Sequence, residues 1–193
     1  MKNSRYLLLC GLLLTGTYLA AQDLLALNET NLQHQRRAML TLGGWAVTNI
    51  SLGLALRGNA EGSTRYFHEM NALWNGVNLL IAGAGYYAAT RQEFAGWDLA
   101  TSLQKHHGFQ KVLLFNAGLD LGYVAGGLYL TERARRPDVN SDRLKGFGRA
   151  IMLQGAFLLV FDLVNYFIAT GRDDAFSVLL GATKNGLGVS WQF

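Results

Sequence analysis

Apolar residues are concentrated in four long stretches of the chain, and charged residues lie almost entirely between them. The four stretches cover residues 38–56, 70–90, 112–130 and 150–170. As an α-helix rising 1.5 Å per residue, each would cross the roughly 30 Å hydrocarbon core of a membrane. A soluble bundle of the same size would carry charges around about half of each helix. The pattern therefore predicts an all-α, four-helix transmembrane bundle with short polar connections, over residues 22–171.

Polar residues recur at helical spacing inside these stretches. Such spacing places them on one face of each helix, and this face should turn inward because lipid offers no hydrogen-bond partners. Counting residues from the predicted helix ends places the two aspartates at the same depth, near the middle of the bundle. The same count pairs the amides in depth as Asn49 with Asn78, Asn75 with Gln154, and Asn116 with Asn165. The predicted interior residues are Asn49, Asn75, Asn78, Asn116, Asp120, Gln154, Asp162 and Asn165.

The amides and the aspartates of this interior have different interpretations. For the amides we favour hydrogen bonds between helices, which fix how the helices pack. An aspartate is a costly way to fix packing, because an ionised carboxylate is unfavourable in hydrocarbon. If Asp120 and Asp162 face each other, they form a coupled pair that shares a proton. The leading hypothesis is an integral membrane protein whose Asn/Asp-lined interior binds or conducts a proton, cation or small polar solute.

The third stretch also carries a stripe of glycines opposite its polar face, at Gly118, Gly122 and Gly126. Small residues four apart let two helix backbones approach closely. The stripe either packs within the monomer or lies at a homo-oligomer contact. The alternative hypothesis is accordingly a structural or assembly subunit of a membrane complex, with the lipid bilayer and other membrane proteins as its partners.

Both ends of the chain carry recognisable signals. Lys2 and Arg5 precede an apolar run that ends at Ala20-Ala21, which predicts a signal peptide over residues 1–21, with an uncleaved first helix as the open alternative. Apolar and polar residues alternate over 187–193, which predicts a strand-like element in an extracytoplasmic tail, residues 172–193. Outer-membrane association is a minor alternative, because one strand cannot form a barrel.

Basic residues predict the orientation in the membrane. The connection between the third and fourth stretches is the most basic segment of the chain, and such segments stay in the cytoplasm. This places the protein in the bacterial inner membrane with both mature termini outside. The basic residues are Arg133, Arg135, Arg136, Arg143, Lys145 and Arg149.

Catalytic and cofactor motifs are not apparent in the sequence. It contains no HExxH, GxSxG, Walker-type or dinucleotide-binding pattern. His106 and His107 are adjacent, and we expect both at the surface rather than in a metal site. The single cysteine, Cys10, lies in the leader, and a net charge of +4 is too small and scattered for a nucleic-acid partner. We expect no cofactor and no metal, and the balance is against an enzyme.

Three segments carry a resemblance to known proteins. They are FHEMNALWNGVN at 67–78, LLFNAGLDLGYVAGGLYLTERA at 113–134 and LKGFGRAIMLQGAFLLVFD at 144–162. Together with a leader ending in AQD, they resemble an uncharacterised family of small helical membrane proteins from Bacteroidota-type bacteria. The resemblance implies a multi-helix membrane architecture, and it implies no activity.

Overall fold

The chain folds into five α-helices in the computed structural model, which describes the backbone of residues 2–185 and the side chains of residues 22–181. The predicted all-α fold class is confirmed. The helices are α1 (Lys2–Arg57), α2 (Gly62–Arg91), α3 (Leu99–Arg133), α4 (Ser141–Thr170) and α5 (Asp173–Asn185). The four apolar stretches lie within α1 to α4, in chain order.

Local sequence determines where α2, α3 and α4 begin. Asp98 accepts a hydrogen bond from the backbone N–H of Thr101 at 2.8 Å, and Asn140 accepts one from that of Arg143 at 3.0 Å. Both are N-caps, which satisfy backbone donors that the first turn leaves free. The hydrogen bonds from Thr101 also hold the pKa of Asp98 below its ordinary value. Helix α2 begins at Gly62 with a φ of +52°, a conformation that favours glycine.

The four long helices form a bundle that is flattened along one diagonal. Helix α1 packs along α2, α3 packs along α4, and α2 packs directly against α4. The α2–α3 and α1–α4 pairs are more widely spaced, and each leaves a cleft. We call these the α2/α3 cleft and the α1/α4 cleft. The end that carries the α1–α2 and α3–α4 connections is called the basic end, and the opposite one the α5 end.

Glycines determine how closely α3 and α4 approach. A Cβ added at Gly127 would lie 2.6 Å from the carbonyl oxygen of Gly148, and one at Gly148 would lie 2.6 Å from that of Gly127. A Cβ at Gly155 would lie 3.0 Å from the carbonyl oxygen of Asp120. The two backbones are therefore in direct contact at these positions.

The predicted glycine stripe makes no such contact. A Cβ added at Gly118, Gly122 or Gly126 would meet no atom of the described chain within 4 Å, and all three positions are exposed. The sequence left two possibilities for this stripe, packing within the monomer or a contact between monomers. Packing within the monomer is not observed. The stripe faces away from the bundle.

The bundle has an apolar surface around a partly polar interior. Leu80, Phe115 and Phe167 are 74%, 68% and 66% exposed, whereas Asn75 and Gln154 are fully buried. This is the reverse of the usual arrangement in a soluble protein, which rarely exposes so much contiguous apolar surface.

Three helical regions of the described chain are long and apolar enough to cross a membrane: Gln22–Arg57, Leu99–Arg133 and Ser141–Gly181. They suggest a membrane protein. Helix α2 is as long as α4, but its buried asparagines lower its mean hydropathy. The fourth crossing, the inner membrane and the orientation of the termini stay predictions.

The ends of the bundle differ from the predicted ones. Helix α3 begins at Leu99, so most of the polar segment between the second and third apolar stretches, residues 99–111, belongs to this helix. Residues 173–185 form α5, so the first part of the predicted tail is helical and not strand-like. The alternating residues 187–193 lie outside the described part of the chain. Helix α1 runs from Lys2 to Arg57 without a break, and cleavage after residue 21 stays a prediction.

The α3–α4 contact predicts opposite effects for two neighbouring glycines. Gly127→Ala should destabilise the protein by about 1–3 kcal/mol, because its new methyl group has no space against α4. Gly126→Ala should be neutral or stabilise it by about 1 kcal/mol, because this position is open and alanine favours helix. Thermal unfolding of both variants in detergent compares them directly. Equal shifts in the two melting temperatures would contradict the described contact.

Candidate functional site

A closed ring of hydrogen bonds joins α1, α2 and α4 inside the bundle. The indole N–H of Trp45 donates to Gln154 Oε1 at 2.8 Å, and Gln154 Nε2 donates to Asn71 Oδ1. Asn71 Nδ2 donates to Asn49 Oδ1 at 2.8 Å, and Asn49 Nδ2 donates back to the carbonyl oxygen of Trp45 at 2.8 Å. We call these four residues the amide ring.

Most of the predicted interior amides have a packing role in this arrangement. Asn75 Nδ2 donates to the carbonyl oxygen of Asn71 at 2.8 Å, and Asn78 Nδ2 donates to Asn75 Oδ1 at 3.3 Å. Depth counting placed Asn49 beside Asn78 and Asn75 beside Gln154, but Asn71 is the residue that bonds to both Asn49 and Gln154. Buried amides that bond one another fix helix register rather than leave groups free for a ligand.

Asp120 on α3 and Asp162 on α4 lie together, as depth counting predicted. Their carboxyl groups interact directly with each other and are only 2% and 5% exposed. Two ionised carboxylates can only accept hydrogen bonds, so a hydrogen bond between them would require a proton on one of them. Asp120 Oδ2 is buried and has no hydrogen-bond partner in the described part of the chain. Buried polar atoms are nearly always paired, so this oxygen calls for an explanation.

The aspartates line a cavity of about 410 Å³ at the α2/α3 cleft, which we call the aspartate pocket. Asn78 and Asn116 line it as well, and Asn116 has no hydrogen-bond partner among the described residues. Towards the basic end, Trp74 of α2 meets Tyr123 of α3 edge to face, with ring centroids 4.8 Å apart. The remaining walls are mostly apolar. The pocket therefore places acidic and amide oxygens in an otherwise apolar enclosure.

Asn165, predicted at the depth of Asn116, belongs to the α1/α4 cleft instead. Arg172 Nη2 donates to His34 Nδ1 at 2.8 Å, so the ring proton of a neutral His34 is on Nε2. This nitrogen donates to Asn165 Oδ1 at 2.9 Å, and Asn165 Nδ2 donates to the carbonyl oxygen of Phe161 at 2.7 Å. These bonds connect α1 with the C-terminal end of α4.

The prediction that His106 lies at the surface is wrong, since it is only 2% exposed. His106 Nε2 and Gln110 Nε2 each lie 2.7 Å from Asp173 Oδ1, and the ring of Phe176 packs 4.7 Å from that of His106. The carboxylate accepts from both nitrogens, so His106 carries its proton on Nε2. Helix α5, which was not predicted, is what covers this histidine.

Sequence reasoning did not show how these networks are completed. Spacing predicts that Trp45 shares a helix face with Asn49, four residues later, but it does not show that Trp45 bonds to Gln154. His34 and Arg172 are separated by 138 residues, and no local pattern connects them. Within the described side chains, no group of three His, Cys, Asp or Glu residues lies close enough to hold a metal ion.

A family of unknown function, DUF6992, matches residues 41–163, more than half of the chain. The chain belongs to this family. The predicted membership of an uncharacterised family is thus confirmed, while the Bacteroidota origin stays a prediction. The DUF6992 match includes the amide ring and both aspartates, and it ends before Asn165 and Arg172. No curated protein and no solved structure matches the chain.

The amide ring predicts a difference between two asparagines. Asn71→Ala leaves the Nε2 group of Gln154 and the Oδ1 atom of Asn49 unpaired, and should destabilise the protein by about 1–3 kcal/mol. Asn116→Ala is the matched control, because Asn116 is half-exposed and bonds to no described residue. Its effect should stay within about 0.5 kcal/mol. Unfolding in detergent measures both, and an equal loss would refute the structural role of the ring.

Proposed function

We propose that this DUF6992 protein is an integral membrane protein that binds a proton, cation or small polar solute in the aspartate pocket. Asp120 and Asp162 are the binding groups. The observation that carries the proposal is the pair of buried carboxyl groups, Asp120 and Asp162, at the wall of a 410 Å³ cavity, together with an Oδ2 atom of Asp120 that has no partner in the described part of the chain. Leaving such an atom without a partner costs about 1–3 kcal/mol, and a proton, donor or cation bound by the pair would offset this cost.

The charge of the pocket supports a cationic or hydrogen-bond-donating ligand. Its lining contains two carboxyl groups and no basic residue. If Asp120 and Asp162 share one proton, the pocket retains one negative charge. Asn116 adds an unpaired amide whose oxygen can accept a further hydrogen bond. Oxygen acceptors in apolar surroundings favour a ligand that donates protons or carries positive charge.

Binding is supported more directly than conduction. A path from the pocket through the bundle interior towards the basic end would meet the amide ring, where Asn49, Asn71 and Gln154 donate to acceptors within the bundle. Binding needs only the pocket and its opening at the α2/α3 cleft. Conduction is therefore the stronger form of the proposal, since such a path would require rearrangement of the ring.

The second candidate function is assembly of a membrane complex or homo-oligomer. It is supported by the glycine stripe, whose three members are exposed on α3 without a contact in the described chain. Glycine inside an exposed helix costs up to about 1 kcal/mol per residue relative to alanine. A stripe of three, four residues apart, fits close approach of another helix within a membrane.

The binding proposal predicts covalent labelling of the aspartate pair. Dicyclohexylcarbodiimide modifies protonated carboxyl groups in apolar surroundings and should label Asp120 or Asp162 in the detergent-solubilised protein. In the Asp120→Asn/Asp162→Asn variant, pocket labelling should be lost while the melting temperature stays close to that of the wild type. Peptide mass spectrometry locates the adduct.

Asp138→Asn is the control for this labelling, since Asp138 is an exposed acid outside the pocket. It should leave labelling of the pair unchanged. An unlabelled pair in the folded wild-type protein would contradict the proposal. The conduction hypothesis is tested by measuring proton flux into proteoliposomes. If the Asp120→Asn/Asp162→Asn variant conducts protons as fast as the wild type, the protein does not conduct through this pair.

The assembly candidate predicts that bulk on the stripe breaks an oligomer. Gly118→Leu/Gly122→Leu should lower the molecular mass measured by light scattering in detergent, because leucine holds the helices apart. Gly76→Leu on α2 is the control, since a Cβ there also meets no atom within 4 Å. An unchanged mass for the stripe variant would remove the support for assembly.

A further inference from the structure

The α1/α4 cleft holds a second cavity, of about 500 Å³, between two side-chain bridges. On the side nearer the basic end, Trp45 stacks on Phe157 with ring centroids 3.8 Å apart and an angle of 4° between the planes. Towards the α5 end, Arg172 Nε donates to Asn31 at 2.6 Å, and its Nη2 donates to His34 at 2.8 Å. These two bridges connect α1 with α4 and Arg172 at either end of the cavity, and the helices stay apart along the cavity itself.

The lining changes from apolar to basic along the cavity. Val160, Val164 and Ile168 of α4 form an apolar wall, and Arg37 and Arg172 both lie near His34, towards the α5 end. From Val160 to Thr170, where α4 ends, is about 15 Å. Val160 and Val164 are 61% and 51% exposed, so the apolar part opens to the surroundings of the bundle. The cavity is thus a groove with a positively charged end.

Neither arginine bonds to a carboxylate in the described part of the chain. Arg172 donates to neutral acceptors, and the adjacent Asp173 accepts hydrogen bonds from His106 and Gln110 instead. The side chain of Arg37 is exposed and makes no hydrogen bond or ion pair with a described residue, although its backbone carbonyl oxygen accepts a hydrogen bond from Thr41. The lining residues include no carboxylate. Two guanidinium groups are therefore available to an anion at the mouth of the groove.

The arginines also lie where a lipid headgroup would lie. Arg37 directly precedes the apolar stretch 38–56, and Arg172 follows the stretch 150–170. In a membrane, Arg172 would lie at the water–hydrocarbon boundary, and the Arg37 side chain would extend towards the same boundary, because helical side chains tilt towards the N-terminal end of their helix. The apolar wall would extend into the hydrocarbon. Guanidinium groups bind phosphate through paired hydrogen bonds, and they do so most strongly where water is partly excluded.

We propose that the α1/α4 cleft is a binding site for a phospholipid with a net negative headgroup. The phosphate contacts Arg37 and Arg172, and one acyl chain lies along Val160, Val164 and Ile168. Charge provides selectivity, and burial of the chain provides affinity. The site requires membrane placement of the bundle, but it does not involve the aspartate pocket.

Native mass spectrometry of the full chain in a neutral detergent tests the site, with added phosphatidylglycerol or phosphatidylcholine of identical acyl chains. The wild type should bind one phosphatidylglycerol about tenfold more tightly than phosphatidylcholine. Arg37→Gln should remove this preference, because one charge-assisted contact is worth about tenfold in affinity. The Arg37 side chain makes no described hydrogen bond or ion pair, and its backbone bond to Thr41 does not depend on the side chain, so this variant should fold. Arg91→Gln, which removes an exposed arginine outside the cavity at the same end, should keep the preference.

A second pair of variants tests the apolar wall. Val164→Trp fills the groove and should weaken binding of both lipids, whereas Leu153→Trp, at an exposed position of α4 outside the lining, should not. Equal binding of the two lipids by the wild type would overturn the proposal. The proposal would also be overturned if Arg37→Gln and Arg91→Gln reduced the preference for phosphatidylglycerol equally, or if inorganic phosphate alone displaced phosphatidylglycerol. Unchanged lipid binding in the Asp120→Asn/Asp162→Asn variant keeps the two sites distinct.

Discussion

Trp45 closes the amide ring, because its indole N–H donates one hydrogen bond of the ring and its backbone carbonyl oxygen accepts another. The ring passes through Gln154, Asn71 and Asn49, so it ties α4 and α2 to α1 at one level of the bundle. Hydrophobic burial alone chooses poorly among helix registers when the outer surface is apolar too. Polar groups inside such a bundle must find partners on neighbouring helices, and few registers allow this. The ring satisfies this constraint for α1, α2 and α4, and glycine contacts hold α3 against α4.

Close packing on one diagonal produces the two clefts that the proposed functions use. Gly127, Gly148 and Gly155 bring α3 and α4 into backbone contact, while α2 packs against α4 and leaves the other pairs apart. The two clefts have opposite chemistry. The aspartate pocket is acidic and lies at middle depth, whereas the α1/α4 cleft ends in two arginines. A single packing arrangement therefore creates one environment for cations and donors and another for anions.

Helix α5 influences the second cleft through the hydrogen bonds of Asp173. Its carboxylate accepts from His106 and Gln110 of α3, which covers the otherwise isolated histidine. The same bonds direct Asp173 towards α3, while Arg172 bonds to Asn31 and His34 of α1. The adjacent residues Arg172 and Asp173 therefore bond to different helices, α1 and α3. This separation keeps the guanidinium of Arg172 at the mouth of the cleft without a carboxylate bonded to it.

Hydrophobic periodicity along the chain was sufficient to predict the all-α class, the positions of α1 to α4 and an inward polar face that includes Asp120 and Asp162. These features depend on local spacing, because helical geometry fixes which residues share a face. Local spacing could not predict which side chains on different helices contact each other. Asn71 instead of Asn78 lies beside Asn49 because of the position of α2 along its axis relative to α1. The burial of His106 and the outward placement of Gly118, Gly122 and Gly126 depend on the rotation of α3 about its axis. The tertiary structure decides both, because backbone contacts such as Gly127 with Gly148 join residues far apart in sequence, and no local pattern encodes them.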